Sequence, residues 1–115
     1  MAKRYPLEQL AIIKKKRLEE AQKLLKEKKE LLEAEIKTLK KVTHERDKVN
    51  EHQVEKLNQL RAGLDEGLPS NKIEQMRNYL KVVKEDLRRK QKQVEIQQKK
   101  VDAAEKEVEK AREKC

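Results

Sequence analysis

Tryptophan and phenylalanine are absent from this 115-residue chain, and Tyr5 and Tyr79 are its only aromatic residues. A globular core at this length draws bulky side chains from several packed layers. A chain that is 35% hydrophobic and 46% charged cannot supply them. Two glycines, Gly63 and Gly67, leave no material for a phosphate-cradling loop or a series of hairpin turns. The single cysteine, Cys115, excludes a disulfide framework and suits a reducing cytoplasm. No stretch approaches the roughly 20 apolar residues that a membrane span requires. The opening MAKRYPLEQLAII is interrupted by Glu8 and Gln9 before an apolar signal core can form. Ser70 is the only serine and lies far from either histidine, so no Ser/His/Asp arrangement is expected. His44 and His52 are eight residues apart and miss the i, i+4 spacing that sets two imidazoles on one metal. Both are read as surface residues. No catalytic residue, cofactor, metal or small-molecule substrate is expected, and the chain is read as a non-enzyme.

High charge and few aromatics also fit disorder, but the apolar residues here are too regularly placed for it. Ile73, Leu80, Leu87, Val94, Val101, Val108 and Cys115 recur every seven residues. Three positions on, Met76, Val83, Lys90, Gln97, Ala104 and Ala111 form the companion row, an a/d seam with two polar interruptions. Upstream, Leu18, Leu25, Leu32, Leu39 and Leu60 hold one position, broken by Arg46 and Gln53, while Ala21, Val42, Val49 and Leu57 or Leu64 lie near the other. Pro6 suits a first helical turn. Gly67 closes a first helix, Pro69 cannot continue it, and Asn71 with Glu74 reads as a capping box for a second. Gly63 is expected to fray the last turn of the first helix. The reading is all-α: one domain over residues 1–115, with a helix about 6–65, a turn about 66–70 and a helix about 71–115. A seven-residue period implies a left-handed coiled coil, and so short a turn permits only an antiparallel hairpin.

With the turn centred on residue 68, facing residues should have numbers adding to about 136. Leu60 then faces Met76, Val49 faces Leu87, Val42 faces Val94, Leu32 faces Ala104 and Leu25 faces Ala111. The paired part should run roughly 65–70 Å at ~1.5 Å per residue. Arg46 falls opposite Lys90, and two like charges must turn their heads outward, towards Asp86. Residues 1–20 find no facing strand within the chain. They carry Leu7, Leu10, Ala11, Ile12 and Ile13, so a partner, or a continuation of the second helix beyond residue 115, is expected to cover them.

The net charge of +9 is spread over both halves, and most lysines sit beside acids, as on a solvated helix surface. Lys14, Lys15, Lys16 and Arg17 form the densest run, with no acid between Glu8 and Glu19. That run fits a docking patch for an acidic partner, a phosphate contact or plain solvated surface. A nucleic-acid role needs a concentrated basic face and stacking aromatics, and the sequence has neither. The remaining readings are a structural or chaperone-like coiled coil and, less favoured, a basic nucleic-acid-binding hairpin.

Several segments resemble the YscO/FliJ family, most closely its chlamydial type III secretion members. They are Arg4-Tyr5-Pro6-Leu7-Glu8 followed by Ile13-Lys14-Lys15, then Glu45-Arg46-Asp47-Lys48-Val49, Asp65-Glu66-Gly67, and Tyr79-Leu80-Lys81-Val82-Val83. The resemblance implies a two-helix antiparallel coiled coil like that of the rotary ATPase γ subunit. It implies a non-enzymatic central stalk at the cytoplasmic face of the export apparatus, coupling a hexameric secretion ATPase to the export gate and also meeting secretion chaperones. On that reading Lys14, Lys15, Lys16 and Arg17, with Leu7, Leu10 and Ile13 beside them, meet the ATPase. Lys110, Arg112 and Lys114 lie on the facing strand. Arg46, Tyr79 and Lys90 are candidates for gate or chaperone contact. No nucleic acid and no membrane insertion are implied, and relatives of the chlamydial kind extend the second helix further.

Overall fold

The structure, a computed structural model, describes residues 7–115. It contains two helices, α1 over Leu7–Glu66 and α2 over Ser70–Glu113, joined through Gly67, Leu68 and Pro69. The chain divides into two compact units, Lys37–Lys99 and a second made of the chain up to Ile36 with Lys100–Cys115. Pro6, and the Arg4-Tyr5 part of the first resemblance segment, lie outside the described residues.

Lys37–Lys99 contains the turn, and backbone bonds fix it. Gly67 has a φ of +72°, a left-handed conformation open to glycine at little steric cost. This lets the Gly67 N–H reach the Leu64 carbonyl at 3.2 Å and the Leu68 N–H reach the Gly63 carbonyl at 3.0 Å. The two bonds form a Schellman motif, which satisfies carbonyls that a helix end leaves open. The same motif corrects the expectation for Gly63, which is buried inside α1 rather than frayed. A Cβ there would sit 2.7 Å from Leu68 Cδ1, so the missing side chain is the space into which Leu68 folds. Substituting Gly67 by alanine is expected to destabilise the hairpin by about 1 kcal/mol, from forcing a Cβ into the left-handed region. Urea unfolding checks this, and an unchanged midpoint would mean that the turn has an alternative geometry.

The capping box does not form. The Pro69 carbonyl accepts from both the Lys72 and Ile73 N–H groups, at 3.0 and 3.1 Å, so α2 begins at Ser70, one residue before Asn71. Asn71 is thereby already inside the first turn, and its Oδ1 accepts from the adjacent Lys72 N–H at 2.9 Å.

Beyond the turn, Leu60, Ile73 and Leu80 form a buried cluster, with Leu57, Leu68 and Met76 packed against it. Antiparallel pairing follows from the contacts. Glu45 reaches Lys90, Arg46 reaches Gln91, and Gly63 lies against Ile73, pairs whose numbers add to within one of 136. Every position of the α2 seam in this unit, from Ile73 to Gln97, is buried or half-buried. On α1 Val42, Val49 and Leu57 are half-buried, while Leu64 is 48% exposed and stands outside the seam.

In the other unit the register is the same, since Lys28 pairs with Glu107 at 3.7 Å. Val101, Val108 and Ala111 are buried, with Leu25 and Leu32 half-buried on α1. Leu18 is half exposed, as expected of a residue within the stretch 1–20 that has no facing strand. One seam expectation fails: Cys115 is exposed, because α2 ends at Glu113.

Candidate partner-binding surfaces

α1 begins with a stretch in which every residue from Leu7 to Glu20 is exposed. Leu7 is 84% exposed, and Leu10, Ile12 and Ile13 are open to solvent beside it. Lys14, Lys15, Lys16 and Arg17 occupy the next turn, and none has an ion-pair or hydrogen-bond partner among the described residues. The helix thus presents cations and apolar side chains together on an uncovered segment. On α2, Lys110 and Arg112 are already engaged by Glu107 and Glu109 one turn before them. Exposed pairs of this kind contribute little to stability.

The polar layer in Lys37–Lys99 is organised differently from the expectation. Arg46 donates through Nε and Nη2 to Asp47 Oδ1, at 3.1 and 2.9 Å, and through Nη1 to Gln91 Oε1 at 3.2 Å. Lys90 Nζ lies 3.9 Å from Glu45 Oε2 across the helix pair. Asp86 pairs with neither. The antiparallel register gives Lys90 an acid on the opposite helix and Arg46 an acid at the next residue, both nearer than a turn of α2. Gln91 in turn donates to Glu95 at 3.4 Å, which extends the network along α2. One heptad on, Gln97 is only 6% exposed, yet no buried side-chain polar atom among the described residues lacks a partner. A fully satisfied polar layer fixes alignment at some expense in stability.

Tyr79 does not join Arg46 and Lys90 in one site. It sits eleven residues before Lys90, roughly 16 Å along the helix, and pairs with His52, which by spacing alone is a surface residue. His52 is half-buried, its Nε2 is 2.9 Å from the Tyr79 hydroxyl, and the two rings meet edge to face at 5.8 Å. Lys56 Nζ lies 5.5 Å from the centre of the Tyr79 ring, a cation–π distance. The pair occupies flanking positions that face each other only once the register is known. Beside it, Val82 is 60% exposed and lines a shallow recess with Lys48, Val49 and Arg89.

No group of three or more potential metal-ligating side chains occurs among the described residues. No helix there is long and apolar enough to cross a membrane.

Comparison with known proteins bears on these surfaces. A family model described as YscO-like protein matches residues 2–115. CT670 of Chlamydia trachomatis, whose solved structure is described as that of a YscO homologue, is 43% identical and superposes with a TM-score of 0.88. The match covers 98% of this chain and 70% of that one. No curated protein matches the sequence. Sequence pattern and three-dimensional fold therefore agree over nearly the whole chain, which belongs to the YscO-like family of type III secretion proteins.

Proposed function

We propose that the protein is a non-enzymatic central stalk of a type III export apparatus, acting at its cytoplasmic face between the hexameric secretion ATPase and the export gate. The observation that carries the reading is the uncovered start of α1. There an acid-free cationic run adjoins Leu7, Leu10 and Ile13 on a stretch of α1 that is exposed at every residue from Leu7 to Glu20. A stalk that meets several subunits of a ring in turn is better served by long-ranged charge contacts than by deep apolar sockets. The stretch from Leu7 to Arg17 is accordingly the ATPase-facing surface, and an acidic inner rim of the ring is its complement. Arg46 and Lys90, and separately Tyr79 with its open neighbour Val82, are the surfaces offered to the gate or to secretion chaperones.

Binding of the full chain to the secretion ATPase, titrated at several salt concentrations, tests this. Lys15→Glu with Lys16→Glu is expected to weaken binding by tenfold or more and to flatten its salt dependence, because two of the screened contacts are reversed. Unchanged affinity in the double variant would remove the basic run from the interface.

A further inference from the structure

The two edges of the helix pair in Lys37–Lys99 are unlike each other. One edge is tied by His52 with Tyr79 and by Glu45 with Lys90. On the other, Asn50, Leu57 and Leu64 recur at seven-residue spacing on α1, and Arg77, Lys84 and Gln91 do so on α2. The Gln91 contact with Arg46 ties this edge at its middle. From there to the turn, Arg77 and Lys84 have no ion-pair or hydrogen-bond partner among the described residues. Two recesses open along it. One, of about 530 Å³, is lined by Leu64, Leu68, Ile73 and Arg77. The other, of about 450 Å³, is lined by Asn50, Leu87, Lys84 and Arg88. Their floors are leucine and isoleucine; the rim of the first carries Arg77 against Glu74, while that of the second is cationic, with Arg46, Lys84 and Arg88 against Asp47, which Arg46 already holds.

We infer that this edge seats a third helix, an amphipathic segment of a partner protein whose apolar stripe is flanked by acidic residues. The spacing dictates the occupant. Leu57 and Leu64 are one heptad apart, as are Arg77 and Lys84, so a helix laid between the two columns meets apolar contacts and cations at the same seven-residue interval. From Leu64 to Asn50 is fourteen residues, roughly 21 Å, so the segment needs about four turns. Charge complementarity excludes a basic helix, since Lys84, Arg77 and Arg88 would repel it. It also excludes the same edge of a second copy, which carries the same cations. The surface differs from the exposed start of α1 and from the Tyr79 edge, and it adjoins the Arg46 and Lys90 layer only where Arg46 lines the second recess, so the inference does not depend on which surface meets the ATPase.

The test uses the full chain and two synthetic 18-residue helical peptides with the same leucine stripe, one flanked by glutamates and one by lysines. Fluorescence anisotropy follows binding, and amide hydrogen exchange maps the site. The glutamate peptide is expected to bind and to slow exchange around Leu57, Leu64 and Arg77. Arg77→Glu with Lys84→Glu should weaken it about tenfold and transfer the preference to the lysine peptide. Leu64→Gln should weaken both, while Ile96→Gln, at an exposed position outside both recesses, should leave binding unchanged. These side chains are exposed or at the edge, and matching circular dichroism melts confirm that each variant folds. Equal binding of the two peptides, no binding of either, or protection centred on Tyr79 and Val82 would each overturn the inference.

Discussion

Leu80→Ala is expected to lower the unfolding free energy by about 2–5 kcal/mol, the range for emptying a leucine site in a packed core. Leu80 is 6% exposed and clusters with Leu60 and Ile73, whose own burial depends on it. Val82, two residues on, points to solvent, and its replacement by alanine should change stability by less than about 0.5 kcal/mol. The contrast is large against the roughly 5–15 kcal/mol that holds a typical domain together. Urea denaturation with a common slope measures both. Equal losses would mean that Leu80 and Val82 are not on opposite sides of the helix pair as described.

Replacing Arg46 and Lys90 together by leucine should act in the opposite direction, raising stability by about 1–3 kcal/mol, as exchanging awkwardly placed charges for packed hydrocarbon often does. Geometry favours the gain. Glu45 and Asp47, the partners left behind, have side chains 39% and 54% exposed and can return to water. Gln91 keeps its contact with Glu95. Removing Arg46 alone should gain less, because Lys90 still interrupts the seam. The secretion phenotype of the double variant divides two roles. Lost gate or chaperone binding with intact ATPase binding assigns the layer a part in coupling. Full activity in a more stable protein reduces it to a device that sets alignment.

Much of the hairpin was legible because its signals are local and repeated. In α2 the row from Ile73 to Val108 and its companion from Met76 to Ala111 are the residues that the structure buries or half-buries. In α1 one row was legible as leucines, but the other is filled in part by Lys28, Glu35, Lys56 and Gly63, which hydropathy does not mark. Lysine and glutamate can lay their aliphatic stems along a seam with the charge outside, and Gly63 is there for Leu68 to cover. The Asn71 cap expected from side-chain pattern does not form because the acceptor is the Pro69 carbonyl, and a backbone group leaves no trace in that pattern. Asp86 is the acid that spacing on its own helix offers Lys90, whereas the partner, Glu45, lies across the pair. His52 and Tyr79 are 27 residues apart and meet only through the register. The open edge with Leu64 and Arg77 is illegible in the sequence for the same reason: its signal is two columns on different helices, each ordinary alone.

The central claim, that this chain acts on the secretion ATPase as a stalk, is tested most directly by ATP turnover. The full chain is added to the purified ATPase at physiological salt, and hydrolysis and assembly state are followed together. The account predicts higher turnover with a larger hexameric fraction, both reduced by Lys15→Glu with Lys16→Glu and restored towards the basal rate at high salt. Turnover and assembly that stay the same across saturating concentrations of the chain would contradict it.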